Sequence, residues 1–124
     1  MHILENISLK SYNSFGLDVR AKYFVEVASI QELKHALSLN AYPNKFILGG
    51  GSNMLLTKDL DCLVIHVALK GIKIIDQDKN EVLVKAYAGE NWHQFVLWCL
   101  GHDFGGIENL SLIPGNVGTA PIQN

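Results

Sequence analysis

The sequence has no excess of basic residues and few charges of any kind. Its 124 residues carry ten Lys+Arg against twelve Asp+Glu, and charged residues make up 18% of the chain. Without a basic excess there is little to attract a nucleic acid backbone or an anionic membrane surface. The hydrophobic fraction of 48% excludes an intrinsically disordered chain. The length predicts one domain.

Long apolar runs and cysteines are also scarce. No apolar run approaches the ~20 residues of a membrane span, and residues 1–6 have neither the basic nor the apolar segment of a secretory signal. The two cysteines, Cys62 and Cys99, do not make a disulfide framework. These absences predict a cytoplasmic location, with no membrane and no nucleic acid among the partners.

Hydrophobic periodicity predicts an α+β domain, a sheet packed by helices. Strands are expected at Lys22–Val27, with alternating faces, at Phe46–Leu48 and at Cys62–Val67, followed by a hairpin of Ile72–Ile75 and Glu81–Tyr87. A first helix begins at the capping box Ser29–Glu32 with the stripe Ile30, Leu33 and Leu37, and Tyr42–Asn44 closes it. A second helix presents Trp92, Phe95, Val96 and Cys99 on one face, with Gly101 as its C′ stop.

Glycine, by contrast, is abundant: most of the eleven glycines lie in two clusters. Gly49, Gly50 and Gly51 follow a predicted buried strand and precede Ser52, Asn53 and Met54. Successive amides in such a turn can converge on a phosphate. Met54 stands where both the Walker loop and the dinucleotide fingerprint need glycine. A tight strand-to-strand turn is the alternative.

The second cluster lies within residues 105–124, an irregular stretch that is apolar for a loop. Its apolar side chains include Ile107, Leu110, Ile113 and Val117. A flat cofactor could cover such side chains while backbone groups contact its polar edge. A frayed terminal segment is the alternative.

Four motifs in order resemble one family across essentially the whole chain. They are Asn13-Ser14-Phe15-Gly16, Leu48-Gly49-Gly50-Gly51-Ser52-Asn53, Ala88-Gly89-Glu90-Asn91-Trp92, and Gly106–Leu110 followed by Ile113–Asn124. Together they resemble the UDP-N-acetylenolpyruvoylglucosamine reductase (UDP-N-acetylmuramate dehydrogenase) family. In the first motif Ser14 replaces the threonine of the family pattern.

The resemblance implies the FAD-binding fold of vanillyl-alcohol oxidase-type flavoenzymes, with two small α+β subdomains at residues 1–66 and 67–124, the second truncated. By this resemblance, Gly49, Gly50, Gly51, Ser52, Asn53 and Met54 hold the FAD pyrophosphate. Ile113, Pro114, Gly115, Gly118, Thr119 and Gln123 line the flavin ring and the ribityl chain.

The activity implied is reduction of UDP-N-acetylglucosamine enolpyruvate by NADPH through FAD, a step of peptidoglycan precursor synthesis. The substrate domain and the family's catalytic residues are expected to be missing, so no catalytic residue is assigned. We therefore expect an N-terminal fragment that lacks reductase activity and binds FAD weakly. The alternative is a free-standing FAD- or nucleotide-binding module without catalysis.

Two further hypotheses concern histidines. Cys62, His66, Cys99 and His102 would supply a Cys2His2 zinc site, but their spacings match no compact zinc motif and both cysteines fit apolar stripes, so no metal is expected. His93, beside Trp92, is interpreted as a residue facing solvent.

Overall fold

The computed structural model describes residues 1–123, with side chains through Ile122. Six strands and three helices follow one another in this part of the chain, in the mixed α+β order that the periodicity predicts. They are β1 (Leu4–Ser8), β2 (Arg20–Val27), α1 (Ile30–Ser38), β3 (Lys45–Leu48), β4 (Leu60–Val67), β5 (Ile72–Gln77), β6 (Val82–Ala86), α2 (Trp92–Gly101) and α3 (Ala120–Gln123). Short 3-10 turns lie at Lys10–Tyr12, Glu108–Leu110 and Val117–Thr119.

The first four strands form one sheet in the order β1-β2-β4-β3. Strand β1 runs antiparallel to β2, whereas β2 and β3 both pair with β4 in parallel. Parallel strands place their carboxyl ends at the same edge of a sheet, which is where ligands bind in many α/β folds. The loop that begins at Gly49 leaves this edge directly after β3.

Both faces of this sheet are covered, so the predicted alternation along β2 does not separate core from solvent. Val25 and Val27 are fully buried together with Ala36 of α1, on one side. Phe24 is buried in the cluster on the other side, with Leu9 and Leu48. A strand buried on both faces carries apolar residues at successive positions rather than at alternate ones.

Helix α1 begins as predicted, but its buried face differs from the predicted stripe. Ser29 Oγ accepts from the Glu32 N–H at 3.1 Å, while the Glu32 carboxylate accepts from the Ala28 N–H at 2.7 Å, one residue before the position of a standard capping box. Ile30 and Leu37 are 44% and 48% exposed, and Ala36 is the buried residue. The helix ends at Ser38, before Tyr42.

Helix α2 buries the predicted face through Val96 and Cys99, but it ends differently from the expectation. Gly101 is the last helical residue, and Asp103 takes the left-handed C′ position with φ +58°. The N–H of Asp103 donates to Leu100 O at 3.0 Å, and the N–H of Phe104 donates to Cys99 O at 2.9 Å. This is a Schellman motif, and an aspartate occupies C′ because Asp tolerates the left-handed region better than most residues.

The second half of the chain buries much less apolar surface. In the part of the chain that the structure describes, β5 and β6 pair with each other alone, and Ile75 and Leu83 are 53% and 61% exposed. Within the described residues, Val96 and Cys99 are the buried hydrophobic side chains beyond Leu69. No helix among residues 1–123 is long and apolar enough to cross a membrane.

Candidate cofactor-binding site

The first glycine cluster is held tightly against the turn that follows Leu9. Gly51 is buried and has φ +68°, and its carbonyl accepts from the Ser14 N–H at 3.0 Å. A Cβ at this position would lie 1.9 Å from Tyr12 O and 2.9 Å from Asn13 Cα. Both the backbone angle and the space therefore require glycine here.

Several amides of the glycine loop remain available to a ligand. Among the hydrogen bonds of residues 1–123, none is donated by the backbone N–H groups of Gly50, Gly51 or Asn53. A buried N–H without a partner is costly, and natural proteins pair almost all of them. Neighbouring amides around a left-handed glycine form a concave donor surface for an anion. The loop therefore fits a phosphate or pyrophosphate group.

The same loop contacts the second glycine cluster on its other side. A Cβ on Gly49 would lie 2.6 Å from Thr119 Cγ2, and one on Gly50 would lie 3.2 Å from Gly115 Cα and 3.3 Å from Asn116 N. Two glycine clusters more than fifty positions apart thus meet in one site. The two backbones can approach this closely because the glycines have no side chains.

The segment at residues 115–118 is fixed by backbone bonds to the entry of α2. Gly115 O accepts from the Trp92 N–H at 2.9 Å, and the Val117 N–H donates to Glu90 O at 2.8 Å. The Gly118 N–H donates to Ala88 O at 3.0 Å, and a Cβ on Gly118 would lie 2.7 Å from Ala88 Cβ. Because its amide is already paired, Gly118 contributes close packing and an open surface, not a donor.

Two side chains at the start of α2 hold residues 110–112, which lie just before the segment at residues 115–118. Trp92 Nε1 donates to Leu110 O at 2.8 Å. His93 Nδ1 accepts from the Leu112 N–H at 3.2 Å and lies 2.9 Å from Ser111 Oγ. The interpretation of His93 as a solvent-facing residue is therefore wrong, because a loop distant in sequence folds back over its ring.

An apolar recess of about 430 Å³ lies beside this segment. Its lining residues are Trp92, Leu110, Ile113, Val117, Ala120 and Pro121. Of the residues expected to line the flavin, the recess includes Ile113, while Pro114 is exposed. Leu112, between them and the turn, has φ +65° and is 76% exposed. A strained backbone and an exposed leucine at one place are typical of a segment shaped for contact with something else.

The other residues predicted to bind the cofactor differ in how far they are buried. Met54 packs against the core cluster around Leu9, so its side chain anchors the loop instead of facing a ligand. Asn53 is exposed and Ser52 is half-buried. Gln123 closes α3, and its side chain lies outside what the structure describes.

Residues Tyr12, Asn13 and Asn116 also contact the glycine loop but are absent from the predicted site. The motif Asn13-Ser14-Phe15-Gly16 was the sequence feature that could have indicated that this turn belongs to the site. What the sequence did not reveal is that this turn lies against Gly51, some forty positions later.

Hydrogen bonds and burial shift the pKa of three ionisable groups in this part of the protein or in the neighbouring sheet. Hydrogen bonds from its own backbone N–H and from the Gly106 N–H, the latter at 2.6 Å, lower the pKa of the Glu108 carboxyl. Burial raises the pKa of both the Cys62 and Cys99 thiols. Among residues 1–123, no three His, Cys, Asp or Glu side chains are grouped to hold a metal ion.

Comparison with known protein families agrees with this geometry. The family described as FAD binding domain matches residues 21–124. The chain belongs to this family. The α+β fold is therefore that of an FAD-binding domain, as the motifs predicted, and the two glycine clusters lie inside the matched region.

Curated relatives extend the likeness over the whole chain. A UDP-N-acetylenolpyruvoylglucosamine reductase of Flavobacterium johnsoniae is 60% identical over 124 residues, which are 100% of this chain and 37% of that protein. The reductase of the same name from Pseudomonas putida is 48% identical over 122 residues, 97% of this chain and 36% of that protein. The chain thus spans little more than a third of the length of these relatives.

A solved structure shares the fold. The crystal structure of UDP-N-acetylenolpyruvylglucosamine reductase from Thermus caldophilus superposes with a TM-score of 0.72 at 26% sequence identity. The match covers 97% of this chain and 41% of that one. The likeness therefore includes both the sheet of β1–β4 and the segment after α2.

Proposed function

We propose that this chain is the FAD-binding part of a UDP-N-acetylenolpyruvoylglucosamine reductase. The observation that carries the proposal is the buried Gly51, whose N–H has no acceptor among residues 1–123 while its loop is held between Tyr12–Ser14 and Gly115–Thr119. An anion bound there would accept hydrogen bonds from the free amides. It would form no ion pair with a side chain of the loop, as expected of a pyrophosphate held by backbone dipoles. The 60% identity to a reductase of this name supports the same assignment.

Each part of the site has a separate role in this proposal. Gly49–Met54 hold the pyrophosphate through backbone amides, and Ser52 and Asn53 border it. Ile113, Pro114, Gly115, Gly118, Thr119 and Gln123 line the ring and the ribityl chain. The cofactor lies between two subdomains, residues 1–66 and residues 67–124, and the contact of Gly49 with Thr119 is one of the contacts between them.

The reaction proposed for the complete protein is reduction of UDP-N-acetylglucosamine enolpyruvate with NADPH, in the cytoplasm, for peptidoglycan precursor synthesis. The chemistry that FAD supplies when bound is hydride transfer. Residues 1–124 orient the cofactor and exclude water from one side of it. We assign no catalytic residue within them, so we expect no NADPH oxidation by this chain when the enolpyruvyl substrate is added.

Titration of the 124-residue chain with FAD tests the binding proposal. We expect saturable quenching of flavin fluorescence, and we expect it to be weakened strongly in Gly50→Ala, because the new Cβ enters the contact with Gly115 and Asn116. Gly101→Ala is the matched control, since a Cβ there meets nothing within 4 Å. Equal affinities of both variants for FAD would contradict the placement of the cofactor at this loop.

A second result separates the reductase from a free-standing binding module. Addition of the remaining two-thirds of a relative, expressed as a separate polypeptide, should restore NADPH oxidation to the FAD-loaded chain if it is a reductase part. FAD binding without any such restoration would favour the module.

A further inference from the structure

The turn at residues 9–17 is organised by one buried amide side chain. Asn13 is 8% exposed and is the buried polar side chain of the described residues. Its Nδ2 donates to Leu9 O at 2.7 Å and to Leu17 O at 3.1 Å, and its Oδ1 accepts from the Leu17 N–H at 3.1 Å. Two donors and one acceptor are needed in one place, and only an amide supplies both.

This turn is attached to the sheet independently of Asn13. The Tyr12 N–H donates to Leu9 O at 2.9 Å. The Tyr12 ring lies 5.0 Å from the Phe24 and His66 rings, centroid to centroid. Tyr12 therefore sets the position of the turn on the sheet, whereas the Asn13 bonds close the turn at residues 9 and 17.

The closed turn in turn fixes the glycine loop. The Ser14 N–H donates to Gly51 O at 3.0 Å, and Tyr12 O and Asn13 Cα occupy the space that a Cβ on Gly51 would need. That donor holds the carbonyl of the peptide between Gly51 and Ser52, which adjoins the peptide that carries the Gly51 N–H. A substitution inside the turn would therefore change the conformation of the loop, although the substituted residue contacts no ligand.

From these contacts we infer that Asn13 is a positioning residue for anion binding by the Gly49–Met54 loop. The inference rests on the proposed function only in naming FAD as the anion's source. Asn13 touches no ligand itself. It acts by holding Ser14 and Tyr12 against Gly51, so that the free amides of Gly50 and Gly51 point in one direction before the cofactor arrives.

The most informative variant is Asn13→Asp, because it has the same shape. It replaces a donor that faces two carbonyl oxygens with a carboxylate oxygen, so both bonds are lost and two acceptors are left facing a charge. Asn13→Ser keeps one hydroxyl donor and serves if Asn13→Asp fails to fold. Val27→Ala is the control, because Val27 is fully buried in the cluster on the opposite face of the sheet.

Two measurements on the 124-residue chain test the inference, each at a temperature where all variants are folded. Hydrogen exchange without FAD should rise in residues 49–54 for the Asn13 variants and stay unchanged there for Val27→Ala. FAD affinity should fall about tenfold or more in the Asn13 variants, which is the effect of losing one well-made hydrogen bond between a loop amide and the anion. In Val27→Ala the affinity should fall by less than about threefold.

The outcomes distinguish the two proposals. Unchanged exchange in residues 49–54, or FAD affinities in the Asn13 variants equal to that of Val27→Ala, would overturn the positioning role. Faster exchange of that loop in a chain whose unmodified form shows no FAD binding would support the positioning role and overturn the proposed function.

Discussion

At the level of single residues, the contact of Gly49 with Thr119 is one of those that join the two glycine clusters. We expect Gly49→Ala to destabilise the chain by about 1–2 kcal/mol, because its Cβ would lie 2.6 Å from Thr119 Cγ2. Thr119→Ser removes that methyl group, and the nearest remaining atoms would be 3.8 Å away. The double variant should therefore recover most of the loss.

Chemical denaturation of the four proteins in this cycle measures the coupling. A coupling free energy of about 1 kcal/mol is expected for residues in direct contact. Losses that simply add would mean that the two clusters do not touch in solution. Gly50→Ala is a useful companion, because its Cβ would lie 3.2 Å from backbone, at Gly115 Cα, which no side-chain replacement relieves.

Asp103 provides a second prediction at this scale. Asp103→Gly should raise the free energy of unfolding by about 0.5–1 kcal/mol, because glycine adopts φ +58° without steric cost and a carboxylate at a helix C-terminus opposes the helix dipole. Asp103→Ala separates the two causes, since it removes the charge but keeps the strained backbone. Urea denaturation of both variants measures the change in the free energy of unfolding. An increase in Asp103→Ala equal to that in Asp103→Gly would contradict the backbone explanation.

Residue identity located the two glycine clusters but did not reveal their environment. The triple glycine after a strand indicated an anion-binding turn, and the structure places free amides there. The turn that holds Gly51 could not be inferred, because Tyr12 and Asn13 reach it through tertiary contacts and not through local spacing. His93 was misinterpreted for the same reason, since its partners lie 18 and 19 positions away.

At the level of elements, the start of α1 was predicted better than its buried face. The Ser29 cap was recognised because capping uses local backbone groups. The stripe of α1 was misjudged because the small Ala36 fits fully against β2 and β4, whereas the larger Ile30 and Leu37 lie at the edges of the contact. Periodicity records which residues share a face, but shape decides which of them are covered.

The β5–β6 hairpin carries a pH-dependent turn. Asp78 Oδ1 accepts from the Asn80 N–H at 2.7 Å and the Glu81 N–H at 2.9 Å, and these bonds lower the pKa of Asp78. A carboxylate whose pKa is lower in the folded state stabilises that state above the unfolded pKa. This contribution is lost as the pH falls through the folded pKa, so the turn should weaken below roughly pH 4.

Nuclear magnetic resonance of the Val82 and Leu83 amides across the acid range measures this effect. Asp78→Asn keeps an acceptor oxygen but does not titrate, so it should remove the turn's own acid dependence. Asp76→Asn is the control, because the Asp76 carboxylate accepts from the Gln77 N–H instead. An acid transition that persists unchanged in Asp78→Asn would assign it to another group.

At the level of the whole molecule, the two halves are unequally stabilised. The sheet of β1–β4 buries apolar clusters on both faces, whereas the described chain beyond Leu69 buries Val96 and Cys99. An isolated two-stranded hairpin is marginally stable in water. The second half therefore depends on its contacts with the first, which include those of Gly49 and Gly50 with residues 115–119 and the packing of Tyr87 on the sheet.

A ligand that bridges the two clusters should stabilise the weaker half most. Both tryptophans, Trp92 and Trp98, lie in α2, so near-ultraviolet circular dichroism of tryptophan follows the second half, while hydrogen exchange in β2 and β4 follows the first. Without FAD we expect the tryptophan signal to melt before the sheet opens. FAD at one hundred times its dissociation constant adds about 2.7 kcal/mol to the bound state, which should bring the two transitions together. In Gly50→Ala the tryptophan transition should stay early with FAD present, and a shift as large as in the unmodified chain would show that the cofactor does not bridge these clusters.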